Sequence, residues 1–377
     1  MNYRTHIVSS LSEIGQARWD GLVALQDNAN PFLSYAFLHA LHESGSATPE
    51  TGWQPQYIAL YDADDHLAAA LPLYVKAHSY GEYVFDWAWA NAYQEHGLDY
   101  YPKLLSAIPF TPVSGPRLLA RDARARAALV DVLAATQKAT DVSSTHVLFP
   151  PDEQAKQLAD AGFMLRSGVQ FHWMNAGYAT FDDFLATLEQ KKRKNIRAER
   201  RKVREAGVLL RRVRGRDVTD EEWRFFTRCY RNTYAEHFSK PYLNLDFFRR
   251  IGKTMPDKLL LVIAQRNGHP IAASLVVHDA TTLYGRYWGA LEHVPCLHFE
   301  AAYYQPLEFC IEQGIQVFEG GAQGEHKMAR GFLPTRTWSA HWLAHPSFAD
   351  AVERFLEREA GGIDDYIDEL NDRNPFK

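Results

Sequence analysis

Leu259 to Val277 reads LLLVIAQRNGHPIAASLVV: an apolar run, the polar turn Arg266-Asn267-Gly268-His269, then a run of small and apolar residues. Two such runs about a turn of this composition predict a β-hairpin. The stretch has a counterpart about two hundred residues earlier, where Gln56 to Val75 reads QYIALYDADDHLAAALPLYV. Leu67-Ala-Ala-Ala-Leu71 stands there where Ile271-Ala-Ala-Ser-Leu275 stands in the later copy. The parallel extends to Asp86-Trp87-Ala88 against Tyr287-Trp288-Gly289, and to Tyr100-Tyr101 against Tyr303-Tyr304. Matched small and aromatic positions point to duplication of a mixed α/β domain. The expected domains are 1–176 and 177–377, with the boundary near Gly177.

Composition agrees with this division. A chain of 377 residues exceeds one ordinary core. With 46% hydrophobic and 23% charged residues it is a folded protein and not a disordered one. The net charge of −5 gives no global attraction to DNA or to a membrane surface, so any such affinity must be local. Cys229, Cys296 and Cys310 show neither metal spacing nor a paired framework, as expected in a reducing compartment, and no metal is expected. The opening MNYRTHIVSSLSEI lacks a signal-peptide core, and no run is long enough to insert in a membrane. The expected location is the cytoplasm.

In the first half, Tyr83 to Ala90 (YVFDWAWA) alternates aromatic and other residues and predicts a strand. Asn91 to Gly97 follows as a polar loop, Tyr100 to Ser106 as a helix, Ala123 to Lys138 as a helix and Thr145 to Phe149 as a strand. Trp87, Tyr93 and His96 are the candidate substrate contacts of this region.

Three segments of the second half carry chemistry. The first is Val317 to Trp342, VFEGGAQGEHKMARGFLPTRTWSAHW. Gly320, Gly321 and Gly324 free the backbone and let a ligand approach main-chain N–H groups. Glu319, Glu325, His326, Lys327 and Arg330 supply the acid, imidazole and cationic groups that proton transfer and anion binding require. A solvated turn is also glycine-rich and charged, but it seldom mixes so many ionisable types before returning to a strand such as Trp338–Trp342. The second segment, Lys191 to Arg204, reads KKRKNIRAERRKVR on a thin apolar stripe of Leu188, Ile196 and Val203, with Gly207 placed to end a helix. Like charges three and four apart repel, so a phosphate-bearing partner would relieve this helix; a solvated charged face is the plainer reading. The third is Cys296-Leu297-His298-Phe299-Glu300 at the mouth of a helix, where the dipole lowers a histidine's pKa. Its plainer reading is a capped first turn. Cys296 has no accompanying oxyanion-type glycine motif that would make it a nucleophile.

Taken together, Leu188–Arg197 with Ala206-Gly207-Val208, Arg286-Tyr287-Trp288-Gly289, Leu297–Glu300 and Gly321–Lys327 with Ala329–Phe332 are similar to motifs of one family. The chain resembles the FemAB-like acyltransferases, tandem GNAT-fold proteins related to the Fem aminoacyltransferases of peptidoglycan bridges. That resemblance implies two GNAT-like domains and transfer of an acyl or aminoacyl group onto the amine of a small molecule, peptide or cell-wall precursor. It implies acyl-CoA or aminoacyl-tRNA as co-substrate, with no permanently bound cofactor. His298, Glu300, Glu319, Glu325, His326 and Lys327 are then the catalytic candidates. Arg286, Tyr287, Trp288, Gln323 and Arg330 join Trp87, Tyr93 and His96 as substrate contacts. Lys191, Arg193, Lys194 and Arg197 are the phosphate-binding candidates. The chain departs from its relatives in lacking a coiled-coil insertion and the Gln/Arg-x-x-Gly-x-Gly/Ala pyrophosphate loop. A protein that recognises a peptidoglycan precursor or peptide without chemistry remains the alternative, and one that only binds tRNA rests on the basic helix alone. The loop reading expects Glu325, His326 and Lys327 to converge on one cleft with His298 and Glu300.

Overall fold

A computed structural model describes residues 3–321 and 324–377. It divides into two compact units, Met1–Gly168 with Arg336–Asp365 and Val169–Thr335 with Tyr366–Lys377. Both units are discontinuous in sequence, where the sequence reading has one cut near Gly177. The C-terminal helix Pro346–Asp372 gives most of its length to unit 1.

Unit 1 begins with β1 (Arg4–Val8), which pairs antiparallel with β2 (Tyr57–Tyr61). β2 turns back on β3 (Leu67–Leu71). In the turn, Asp62 accepts hydrogen bonds from the amides of Asp64 (3.0 Å) and His66 (2.9 Å). Pro72 lacks the N–H that a ladder needs and interrupts the strand, which resumes as β4 (Tyr74–Lys76). β4 pairs antiparallel with β5 (Lys103–Ser106), and β5 pairs parallel with β6 (Ser144–Leu148). A parallel pair needs a crossover. Helix α2 (Ala123–Ala139) supplies it and buries Leu129, Val130 and Leu133 against the sheet; the helix before it, α1, spans Trp87–Glu95.

Unit 2 repeats this order. β7 (Val208–Arg214) pairs antiparallel with β8 (Leu259–Arg266), and two helices, α4 (Asp220–Glu236) and α5 (Leu245–Thr254), lie between them in the chain. α3 (Gln190–Glu205) is the basic helix that precedes β7. β8 turns into β9 (His269–His278) at Asn267 (φ 52°) and Gly268 (φ 79°). Positive φ at both central residues matches the twist of a two-residue hairpin. β9 pairs antiparallel with β10 (Thr282–Ala290), and β10 pairs parallel with β11 (Val317–Glu319) after helix α6 (Gln305–Gln313). The hairpins 56–75 and 259–277 therefore hold equivalent places, and the duplicated mixed α/β architecture is the one observed.

Two local expectations are corrected. Tyr83–Ala90 is not a strand, because Trp87–Glu95 is helical and buries Trp89 and Tyr93 on one face. An aromatic pair four apart fits a helix face as well as alternation fits a strand, and tertiary packing chose the former. Tyr100–Ser106 is not a helix; Lys103–Ser106 is the fully buried β5. The match of Asp86-Trp87-Ala88 to Tyr287-Trp288-Gly289 falls with this, since β5 takes the place of β10. Tyr100-Tyr101 leads into β5, whereas Tyr303-Tyr304 follows β10 in a helical segment, so that match fails too.

β5 also carries a charge that hydropathy does not disclose. Lys103 is 0% exposed. Its ammonium donates to Ser79 Oγ (2.7 Å) and Glu82 Oε2 (2.8 Å) and to Asp86, which also accepts from Tyr100 OH at 2.7 Å. Burial alone would lower the pKa of Lys103; Glu82 and Asp86 outweigh it and raise it. His146 of β6 meets His341 with their Nδ1 atoms 2.7 Å apart. Removing one member of a buried ion group costs more than the group is worth, because its partners stay buried and charged. Lys103→Met should cost about 3–5 kcal/mol in urea unfolding. A loss within a few tenths of a kcal/mol would mean that the network contributes nothing to stability.

Candidate active site

The pairing of β10 with β11 lasts three residues, from Thr282 opposite Val317 to Tyr284 opposite Glu319. β10 then continues to Ala290 on β9, while the chain leaves β11 at Gly320-Gly321. The strands part, and a cavity of ≈ 270 Å³ lies between them. The β9–β10 ladder slips here, with Val276 opposite Gly285 and Leu275 opposite Tyr287, so Arg286 is the extra residue of a bulge. A bulge re-aims side chains, and Arg286, Tyr287 and Trp288 all line the cavity. A Cβ at Gly320 would sit 3.0 Å from the Phe332 ring and 3.1 Å from Lys327 Cδ, so any side chain there would press on the ring and the lysine stem.

The segment after β10 adds two more walls. Leu297–Phe299 is one α-turn, Glu300–Tyr304 is a π-turn, and α6 follows. The wider turn, a device common at functional sites, sets the His298 and Tyr303 rings 5.4 Å apart on the cavity wall. Trp288 also packs on His298, with the ring centres 5.3 Å apart. Burial lowers the His298 pKa to about 4, with smaller contributions from His326 and Arg330, so the imidazole is neutral near pH 7. His326 Nε2 lies 3.3 Å from Tyr303 OH. Lys327 donates to the Gly321 carbonyl at 2.8 Å, and burial lowers its pKa to about 8.

Glu319 ends β11 beside the two cavity glycines. It is 9% exposed, and its carboxyl makes no hydrogen bond or ion pair among the described residues. Burial raises its pKa to about 8, although Arg286 pulls the other way. Opposite Glu319 in antiparallel register stands His172, on the strand Met164–Met174. His172 Nε2 is buried without a hydrogen-bond partner, and burial followed by the Lys327 charge lowers its pKa to about 4. Sequence reading missed His172, since a lone histidine inside an apolar strand carries no local signal.

The sequence from residue 10 to 377 matches the model of the FemAB-like family, described as peptidoglycan biosynthesis/recognition. The chain belongs to the FemAB-like family. Among curated proteins none matches it by sequence. Among solved structures, FemX aligns with a TM-score of 0.57 at 11% identity, covering 94% of this chain and 100% of FemX. A conserved protein of unknown function from Bacteroides thetaiotaomicron aligns at 0.54 and 12% identity, covering 90% and 99%. L-PGS from Bacillus licheniformis aligns at 0.51 and 13%, covering 87% and 98%. Likeness at such identities speaks for the fold alone.

In this FemAB-like chain the cavity gathers His298, His326 and Lys327, three of the five residues expected to converge, and Arg286, Tyr287 and Trp288 line it as well. Glu300 and Glu325 do not join them. Glu300 is buried on Arg200 through two bonds of 3.0 Å and on Gln305 at 2.9 Å. Glu325 is exposed and accepts from Tyr366 OH (2.8 Å) and Arg373 (3.0 Å). Arg330 is also committed elsewhere: it donates twice to Glu199 at 2.9 Å and lies 3.5 Å over the Phe299 ring. Gln323 lies outside the described residues. Trp87, Tyr93 and His96 all belong to α1 or its end in unit 1, where Tyr93 is core and the imidazole of His96 bonds the Ala92 carbonyl at 2.8 Å. On α3, Arg193 donates to the Leu188 carbonyl (2.9 Å) and Arg197 pairs with Asp182 (2.9 Å), whereas Lys191 and Lys194 are exposed without a partner among the described residues. The one metal-like grouping among the described residues, Asp62, Asp64 and His66, is the β2–β3 turn, and Asp62 is already paired with Arg121.

Glu319 makes a stability test of this geometry. A carboxyl with a raised folded-state pKa stabilises fully below its unfolded value and loses that contribution as pH rises through about 8. Wild type should therefore lose stability relative to Glu319→Gln between pH 4.5 and 8, by a few kcal/mol at most. Paired melting curves across that range check it, and a gap that stays constant with pH would show that Glu319 is solvated. Glu325→Ala, in contrast, breaks an exposed pair and should melt close to wild type.

Proposed function

We propose that this FemAB-like protein transfers an acyl or aminoacyl group from an activated donor to an amine, in the cavity between β10 and β11. The observation that carries the proposal is Glu319, a buried carboxyl without a hydrogen-bond partner among the described residues, beside the cavity that Lys327 and His298 line. In such a reaction the amine nitrogen attacks the donor carbonyl carbon, and the bond to the leaving thiol or ribose oxygen breaks. The amine loses a proton and the leaving group gains one. A carboxyl with a pKa near the working pH suits both transfers, taking the first proton and returning it to the leaving group. The Lys327 ammonium stabilises the oxyanion that forms on the carbonyl oxygen. Neutral His298 accepts an N–H of the incoming amine and holds its lone pair toward the carbonyl.

Donor class is the open half of the proposal. Acyl-CoA and aminoacyl-tRNA both carry phosphates, and Lys191 and Lys194, two of the exposed cations of α3 without a partner among the described residues, suit them. Because the family description covers recognition as well as biosynthesis, a binding protein without turnover is the second reading.

One experiment separates the two. Purified protein is given acetyl-CoA or alanyl-tRNA with a peptidoglycan-precursor peptide, and thiol release or peptide mass is followed. Transfer should fall by about 10²–10⁴ in Glu319→Gln and about 10²–10³ in Lys327→Met, and stay within about twofold in Glu325→Ala. Glu319 must be ionised to take the proton and Lys327 must be protonated, so the rate should peak near pH 8. Lys327→Arg, which stays protonated, should lose the alkaline limb while keeping the acid one. Lys191→Glu with Lys194→Glu should weaken donor binding, the more so at low salt. Peptide binding with no turnover on either donor would leave the recognition reading standing.

A further inference from the structure

Unit 2 holds a second cavity, of ≈ 310 Å³, at the opposite ends of the strands that frame the first. The ends of β7 and β9, the start of β8 and the residues just before β11 enclose it. Its floor is apolar and includes Leu259, Phe309 and Ile315. Its rim is charged, with Arg214, Arg216 and Lys258 against Asp257 and Asp279.

The partners of these charges decide what the cavity attracts. Arg216 pairs with Asp257 and is neutralised. Asp279 Oδ1 is occupied by the amides of Thr281 and Thr282 (each 2.8 Å) and the Thr281 hydroxyl (2.9 Å). Among the described residues Arg214 reaches only a neutral acceptor, Gln313 Oε1, at 3.2 Å. Lys258 has no partner among the described residues. Both cations act on His278, whose ring packs 5.2 Å from Phe309; burial first, with Lys258 and Arg214 behind it, lowers its pKa against the opposing pull of the Asp279 carbonyl and carboxylate. Two cations without an ion-pair partner among the described residues thus face an imidazole over an aromatic floor, with the hydrogen-bonded Asp279 carboxylate at the rim.

We propose that this cavity binds a small organic phosphate, with the phosphate on Arg214, Lys258 and His278 and the organic body on Phe309 and Ile315. A phosphomonoester carries about −1.5 to −2 charges at neutral pH, which suits two cations that lack an ion-pair partner better than a single carboxylate does. The guanidinium fork fits phosphate oxygens, and the ammonium adds a point charge. The site is independent of whether the first cavity transfers acyl groups.

Calorimetric titration of the full chain at low salt tests it with phenyl phosphate, inorganic phosphate and benzoate as probes. Phenyl phosphate should bind one to one, and both other probes at least about tenfold more weakly, since each lacks one half of the recognition. Arg214→Ala and Lys258→Gln should each weaken phenyl phosphate about tenfold or more, the worth of one charge-assisted hydrogen bond. Both side chains are exposed, so the variants should melt with wild type. Lys327→Ala should leave this binding unchanged, and bound phosphate should raise the His278 imidazole pKa followed by NMR. The proposal is overturned if no probe binds, or if benzoate matches phenyl phosphate. It is overturned equally if Lys327→Ala abolishes binding while Lys258→Gln does not, for the anion then sits in the first cavity.

Discussion

The parallel pairing of β10 and β11 stops after Glu319, and the site follows from that stop. A strand that kept its partner would satisfy its backbone groups and close the sheet. Here the chain turns away at Gly320-Gly321, and the freed edge of β10 faces a gap that side chains fill only in part. Glu319 is the last residue held, between Tyr284 on one side and His172 on the other. Its carboxyl is therefore buried by the ladder but not satisfied by it. That is an expensive arrangement for an ionised group, and the raised pKa is its consequence.

Charges that the site does not use hold its walls in place. Arg200 and Glu199 are neighbours on α3 with opposite partners. Arg200 grips Glu300 and Glu308, fixing the π-turn and the start of α6. Glu199 grips Arg330, which also donates to the His326 carbonyl at 2.7 Å and so fixes the loop that carries Lys327. Ile196 and Val203 bury the same side of the helix. α3 is thus two-sided: an inner row that braces the cavity and an outer row of lysines. Its positive charge is not one feature with one purpose.

Unit 1 shows the same fold put to a different use of burial. Where unit 2 opens a cavity beyond its parallel pair, unit 1 buries ionic groups around β5 and β6, and Lys103 is satisfied by three acceptors. Paired and hydrogen-bonded charges of this kind specify a local structure more than they stabilise it. Duplication explains the common framework; the residues that replaced one another explain why the two interiors differ.

The sequence by itself determined the duplicated hairpins, because a polar turn between apolar runs is a local instruction, and each copy carries one in a contiguous stretch, Asp62–His66 in the first and Asn267-Gly268 in the second. It also marked Lys327, His326 and His298, since glycine clusters and mixed ionisable types are visible along the chain, and motif resemblance named the family. Tertiary structure alone decided the rest. Trp87–Glu95 became helix and Lys103–Ser106 strand because short aromatic and apolar runs fit either period, and packing settled the choice. Glu300 and Glu325 were equally good candidates on paper, yet Arg200 and the Tyr366–Arg373 pair, distant in sequence, claimed them. His172 was invisible because its significance lies in facing Glu319 across a ladder between residues far apart in the chain. Which ionisable groups stay unpaired is a property of their neighbours in space, and no local pattern encodes it.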